Sequence, residues 1–228
     1  MVLEEQVRDA VAAVRPKLRG WLHAGTFPVA LAAGVALVAL APSTQARVTS
    51  AIFALTAALL FGVSALYHRG RWSPRAGDVL RRLDHANIFL IIAGTYTPFT
   101  ILLLEQGDAR ILLSLVWIGA LAGVAFRVLW VGAPRWLYVP VYVALGWAAA
   151  FWLPQFASRS GVAVLVLIMA GGLLYSAGAV VYALQRPNPS PGWFGFHEIF
   201  HTCTIAGFAA HQVGVWLAAF GVGAVAAG

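Results

Sequence analysis

The stretch HEIFHTCTIAGFAAHQVGVWLAAFGVGAV, residues 197–225, carries two histidines at its start and is mostly apolar after them. It is long enough to cross a bilayer as one helix, because a helical span needs about 20 mostly apolar residues. Ionisable side chains are costly inside a bilayer, so His197 and His201 indicate a functional site. The two are four residues apart and therefore share one helix face, where two imidazoles can hold one metal ion. The stretch predicts a membrane helix with a metal site at its first turn.

The composition of the whole chain excludes an ordinary soluble protein. Of its 228 residues, 61% are hydrophobic and only 10% are charged, whereas about a quarter of the residues of a soluble domain are charged. The single cysteine, Cys203, excludes an internal disulfide and a zinc motif built from cysteines. The net charge of +7 comes from basic residues in short segments between apolar runs, so we expect no nucleic-acid partner.

Six further apolar stretches precede residues 197–225, so the sequence predicts an all-α membrane protein with a bundle of seven transmembrane helices. We expect a cytoplasmic, amphipathic N-terminal segment over residues 1–21 and one transmembrane domain over residues 22–228. The fifth stretch is short and rich in aromatic residues, which makes it the weakest of the set. The seven predicted spans are 22–41, 47–67, 84–104, 110–130, 135–154, 161–184 and 197–225.

The distribution of basic residues predicts the orientation of this bundle, because cytoplasmic segments of membrane proteins carry an excess of Lys and Arg. With seven spans and a cytoplasmic N-terminus, twelve of the 15 basic residues lie inside and three lie outside. We therefore expect a multi-pass protein of the cytoplasmic (inner) cell membrane with its C-terminus outside. The outer three are Arg47, Arg110 and Arg159, and the inner twelve are Arg8, Arg15, Lys17, Arg19, Arg69, Arg71, Arg75, Arg81, Arg82, Arg127, Arg135 and Arg186.

This orientation brings four ionisable residues to one depth at the cytoplasmic face. The second span ends at His68, the third begins at Asp84, and the seventh begins with His197 and His201. Three histidines and a water make a tetrahedral zinc site with an open position. Nitrogen ligands favour zinc over magnesium or calcium, with iron and nickel as open alternatives. Asp84 can accept a hydrogen bond or hold the water, and Ser64 lies one turn before His68.

Four other residues are expected to lie outside this site. His85 is turned away from the site face and is expected to pack or to form a hydrogen bond, and His23 is expected at the membrane interface. His211 lies about 21 Å along the helix axis from the start of the seventh span, where it can line a cavity or bond a neighbouring helix. Glu198 is turned off the ligand face, and we expect its carboxylate to be solvated at the cytoplasmic interface.

Three segments together resemble the hemolysin III family, the bacterial branch of the progestin and adiponectin receptor family. They are SALYHRG (64–70), RRLDHANIFLIIAGTYTPF (81–99) and HEIFHTCTIAGFAAH (197–211). The resemblance implies seven helices around an intramembrane zinc. The receptor branch implies an amide hydrolase acting on ceramide-like lipids, and the bacterial branch is associated with haemolysis and membrane lipid homeostasis.

The resemblance also implies a role for each residue of the site. His68, His197 and His201 match the zinc ligands of the family. Asp84 matches the residue that orients a water at the zinc, and Ser64 matches a hydroxyl beside the site or on its oxyanion side. These matches add roles to residues that spacing alone places at one membrane face.

The sequence therefore predicts a zinc-dependent integral membrane hydrolase, cleaving an amide bond of a ceramide-like membrane lipid and linked to lipid homeostasis. Two alternatives stay open. HEIFH also fits the H-E-x-x-H pattern of zinc peptidases, with Glu198 as general base and Asp84 as a third ligand. The other alternative is a non-enzymatic, zinc-containing membrane sensor or receptor. In each case the expected cofactor is zinc, and the lipid bilayer is the expected surroundings.

Overall fold

The computed structural model describes residues 16–130 and 132–225, and within these ranges the protein is helical and has no β-strand. The prediction of an all-α protein is confirmed. Most of the segment expected to form an amphipathic helix, residues 1–21, lies outside the described residues. The helices are α1 Trp21–Leu40, α2 Thr44–Arg69, α3 Pro74–Leu103, α4 Gln106–Leu129, α5 Arg135–Gly146, α6 Leu153–Leu184 and α7 Phe196–Val225, with a 3-10 helix at Ala148–Trp152.

Six helical stretches of the described residues are long and apolar enough to cross a membrane. Five of them are single helices: α1, α2, α3, α4 and α7. The sixth is the 50-residue stretch Arg135–Leu184, which contains α5, the 3-10 helix and α6. At 1.5 Å per residue a straight helix of this length would measure about 75 Å, more than twice the hydrocarbon thickness of a bilayer.

The first half of this stretch follows α3 from its N-terminal half to its C-terminal end. The order of its contacts shows the direction, since residues later in the stretch bond residues later in α3 or just beyond it. The hydrogen-bonded pairs are Tyr142 with His85, Gly146 with Tyr96, and Arg159 with Glu105.

The second half returns beside the first. Gly161 has a φ of 76° and a ψ of 170°, a left-handed, extended backbone that glycine adopts readily and that breaks the helix. Beyond this break the Trp147 indole donates to the Ser176 hydroxyl at 2.9 Å. Near the two ends of the stretch, the hydroxyls of Tyr138 and Tyr182 lie 3.3 Å apart. The stretch Arg135–Leu184 therefore folds into two antiparallel passes along the bundle.

Helix α3 begins at Pro74, whereas the predicted span begins at Asp84. Ser73 caps the helix by accepting a hydrogen bond from the Ala76 amide at 3.4 Å, and Pro74 occupies the first turn. Both residues are typical of a helix start. Residues 74–83, which the prediction leaves between its second and third spans, are therefore helical, and Asp84 lies in the third turn of α3 rather than at its start.

The packing of α7 brings its own first turns close to the end of α2 and the first turns of α3. It lies along α6 and also contacts α3 and α1, while α2 packs between α1 and α3. Phe208 of α7 stacks with Phe53 and meets Phe61 edge to face, at ring distances of 5.5 and 5.1 Å, which links α7 to α2. The start of α7, the end of α2 and the first turns of α3 consequently meet at one end of the bundle.

The contact between α3 and α4 generates a prediction. A methyl group on Gly123 would overlap the fully buried ring of Phe89. Gly123→Ala is therefore expected to lower the free energy of unfolding by about 1–3 kcal/mol, the usual cost of overpacking. Thermal unfolding in detergent measures the change. Gly107→Ala in the first turn of the same helix is the control, because nothing lies within 4 Å of its new methyl group. Equal losses in the two variants would contradict the described packing.

Candidate metal centre

The structure brings three histidines together at one end of the bundle. His68 lies in the last turn of α2, while His197 and His201 occupy the first two turns of α7. One ligand atom from each ring lies within 4.8 Å of those of the other two. His68 and His201 are buried and His197 is half-buried. The packing of α2 beside α7 thus adds a third imidazole to the pair that the sequence places on one helix face.

The separation of two ligand atoms in this trio fits a tetrahedral metal ion. The Nε2 atoms of His68 and His197 are 3.2 Å apart. Two nitrogens that each bind zinc at 2.0–2.1 Å at a tetrahedral angle are separated by about 3.3 Å. Neutral imidazoles are also the ligands that zinc and neighbouring transition metals prefer over the oxygen ligands of magnesium and calcium. The three residues can therefore hold such an ion, and which metal binds there stays a prediction.

The two residues expected to act in catalysis lie beside the trio. An oxygen of Asp84 is 3.6 Å from Nε2 of His68. Asp84 also interacts with Ser64, whose side chain is buried. A carboxylate at this distance would lie beside an ion that the three imidazoles held, where it could accept a hydrogen bond.

A cavity of about 130 Å³ opens from this centre into the bundle. His201 lies at one part of its wall and His211 at another, ten residues along α7, which corresponds to roughly 15 Å. Most of the wall between them is apolar or aromatic. Side chains of the wall include Ile88, Ile92, Tyr142, Trp147 and Phe200. The cavity therefore has a polar end beside His201 and a mostly apolar wall along the rest of its length.

His85 and His211 lie outside the trio, as the sequence predicts. Nδ1 of His85 is 2.6 Å from the guanidinium of the buried Arg127. Nε2 of His211 is 3.1 Å from the carbonyl oxygen of Ile168 on the neighbouring helix α6. His211 thus fulfils both expectations, since it lines the cavity and bonds an adjacent helix.

The expectation that Glu198 is solvated is wrong. Its side chain is fully buried. Oε1 of Glu198 accepts a hydrogen bond from Nε of Arg19 at 2.5 Å, and Oε2 accepts one from the Gly195 amide at 2.9 Å. The carboxylate caps the start of α7, where a negative charge is favourable. The segment that precedes α1 supplies the arginine, a contact between residues 179 positions apart that spacing within α7 does not reveal.

His23, expected at the membrane interface, lies instead against the trio. It is only 2% exposed, and its ring stacks on His201 with centroids 3.7 Å apart and planes 7° from parallel. A signal for this was present in the sequence. The first and seventh predicted spans both begin inside, so the argument that aligned Asp84 with His197 also places His23 at their depth.

Most of the chain matches a known protein family. A family model described as Haemolysin-III related matches residues 11–212. The protein belongs to the hemolysin III family. The predicted family resemblance is thereby confirmed, and with its apolar helices the chain is a membrane protein of this family.

Individual relatives of this hemolysin III protein come from bacteria and animals. It is 34% identical over 165 residues to the Hemolysin-3 homolog of Bacillus subtilis (strain 168), covering 72% of this chain and 73% of the relative. It is 29% identical over 168 residues to Hemolysin-3 of Bacillus cereus, covering 73% of each chain. It is also 29% identical over 194 residues to the Adiponectin receptor protein of Drosophila melanogaster, covering 75% of this chain and 43% of the receptor.

The trio generates a prediction about metal content. The purified hemolysin III protein is expected to contain about one zinc per chain. His68→Ala, His197→Ala and His201→Ala should each lose most of it, because two imidazoles leave the ion with too few protein ligands. Elemental analysis by mass spectrometry measures the content. His211→Gln, a change of another buried histidine on α7, is the control and should keep its zinc. An unchanged zinc content in all three variants would contradict a metal site at these histidines.

Proposed function

We propose that this protein is a zinc-dependent hydrolase that cleaves an amide bond of a ceramide-like membrane lipid and so contributes to membrane lipid homeostasis. The observation that carries the proposal is the cluster of three histidines, whose ligand atoms lie within 4.8 Å of one another, at one end of a cavity with a mostly apolar wall. His197 and His201 are part of that wall. Such a cavity suits a long apolar chain, while the imidazole cluster suits a polar group to which that chain is attached.

His68, His197 and His201 are the proposed ligands of the zinc. A zinc ion held there would lower the pKa of a water toward about 7 and would polarise a carbonyl group. Three protein ligands leave a fourth position open, which is typical of catalytic rather than structural zinc sites. We therefore favour an enzyme over a sensor that holds zinc for structure alone.

Asp84 and Ser64 are the proposed catalytic residues. Asp84 accepts a proton from the attacking water, whose oxygen forms a bond to the amide carbon. The carbon–nitrogen bond then breaks, and Asp84 returns the proton to the departing amine. The products are a fatty acid and an amine, and water is consumed. Ser64, next to Asp84, can donate a hydrogen bond to the carbonyl oxygen as negative charge develops on it.

The contacts of Glu198 support this proposal over an intramembrane peptidase. A peptidase that uses HEIFH needs Glu198 as a general base beside the zinc. Both carboxylate oxygens already accept hydrogen bonds, from Arg19 and from the Gly195 amide. Glu198 is also absent from the cavity wall, whereas Asp84 and Ser64 are part of it.

The proposal includes a topology of seven spans with a cytoplasmic N-terminus and an outer C-terminus, in the inner cell membrane. The antiparallel halves of Arg135–Leu184 support the count, because each half follows the bundle from one end toward the other. The excess of basic residues in the inner segments supports the orientation. In this topology the histidine trio lies toward the cytoplasmic face and His211 lies deeper in the membrane.

The proposed chemistry makes Asp84 separable from metal binding. Asp84→Asn should keep about one zinc per chain, because the three histidines remain. Its turnover should fall by a factor of about 10²–10⁴, the usual contribution of a general base. Zinc content and the release of fatty acid from a long-chain N-acyl amide in detergent measure the two effects. Full activity of Asp84→Asn would contradict the assigned role.

Glu198→Gln provides the comparison that separates lipid hydrolase from peptidase. We expect it to destabilise the protein, since Arg19 loses its charged partner, yet to keep turnover per folded, zinc-loaded molecule within a few fold of wild type. Arg19→Gln is the matched control, because it breaks the same ion pair from the other side. Loss of turnover in Glu198→Gln with retention in Arg19→Gln would favour the peptidase.

The topology predicts the side on which a C-terminal reporter is active. Alkaline phosphatase fused after the last residue should be active, because it folds only after export, whereas green fluorescent protein at the same place should be dark. Fusions in the segment between α2 and α3 should give the reverse result. A fluorescent C-terminal fusion would require an even number of spans and overturn the proposed orientation.

A further inference from the structure

His23 is a fourth buried imidazole at the metal centre, and neither of its ring nitrogens has a hydrogen-bond partner among the described residues. Its side chain is 2% exposed and forms part of the cavity wall together with Ser64, Asp84 and His201. Buried polar atoms without partners are rare in folded proteins and call for an explanation. Phe61 meets the ring edge to face at 5.1 Å, so an apolar neighbour fills that side.

The geometry of the stack argues against His23 as a ligand of the same ion. An imidazole nitrogen binds a metal through a lone pair that lies in the plane of its ring. The planes of His23 and His201 are 7° from parallel, and the ring centroids are 3.7 Å apart. Two planes stacked in this way do not share a point near both rings, so an ion in the plane of His201 lies outside the plane of His23.

We propose that His23 is a positioning and ligand-binding residue of this centre. Its flat face fixes the plane of the His201 ring, so that the ligating nitrogen of His201 stays turned toward His68 and His197. Its unpaired nitrogens, one a donor and one an acceptor in the neutral ring, bind a polar group of the molecule that enters the cavity. The inference rests on the proposed function in taking His201 to be a zinc ligand and the entering molecule to be an acyl amide.

Two substitutions separate the two parts of this role. His23→Phe keeps a flat ring that can stack on His201 and removes both nitrogens. His23→Ala removes the stack as well. Thr26→Val, one turn away on α1, is the control, because among the described residues the Thr26 hydroxyl bonds only the Leu22 carbonyl of its own helix.

Three measurements on the full-length, metal-loaded protein in detergent test the role. Competition with a zinc chelator gives the zinc affinity, and the visible absorption of the cobalt-substituted protein reports the geometry of the ligands. Equilibrium dialysis gives the dissociation constant of N-dodecanoylethanolamine, with Asp84→Asn added to every protein compared so that the amide is not consumed. Because dialysis measures binding, a wild type without activity on this amide contradicts the hydrolase proposal and still leaves His23 tested.

We expect His23→Phe to keep the zinc affinity and cobalt spectrum of the wild type and to bind the amide about tenfold more weakly, as for the loss of one hydrogen bond. His23→Ala should in addition lose zinc affinity by a factor of roughly 10–100, as when support of a metal ligand is removed. Thr26→Val should match the wild type in all three measurements.

Three results would overturn the proposal. A changed cobalt spectrum and lost zinc in His23→Phe would make His23 a ligand. If His23→Phe binds the amide as tightly as the wild type does, the His23 nitrogens do not bind the amide. Unchanged zinc affinity in His23→Ala would show that the stack does not orient His201.

Discussion

The structure depends on the cost of burying ionisable groups in an apolar bundle. Such a group finds no water inside the membrane and must be satisfied by other protein groups or by a bound ion. Here one end of the helices gathers the Arg19–Glu198 pair, Asp84 and four imidazoles, those of His23, His68, His197 and His201. Because each group needs a neighbour from another helix, this requirement fixes how α1, α2, α3 and α7 meet.

The Arg19–Glu198 pair connects this end of the bundle to the segment before α1. Backbone hydrogen bonds run from Lys17 to the Gly192 carbonyl and from Leu18 to the Trp193 carbonyl, so the same segment also holds the loop before α7. These contacts place the first turn of α7, and with it His197. The histidine trio is therefore supported by residues that do not line the cavity.

Tyr96 supports an irregular piece of backbone beside a cavity whose wall is mostly apolar. The Tyr96 hydroxyl donates to the Gly146 carbonyl and accepts from the Ala149 amide, where α5 gives way to the 3-10 helix. Freed backbone groups at such a break must find partners inside a membrane protein. The aromatic side chain thus allows an irregular backbone beside the cavity without exposing it to lipid.

The sequence by itself determined the membrane class, the all-α fold, the family and the alignment of His68, Asp84, His197 and His201 at one end. It could do so because apolar length, the four-residue helical repeat and the placement of charges act locally along the chain. Only the tertiary structure decided that Glu198 is buried against Arg19 and that His23 stacks on His201. Those facts depend on which helix faces lie opposite each other, and contacts such as Arg19–Glu198, 179 residues apart, leave no periodic pattern in either segment.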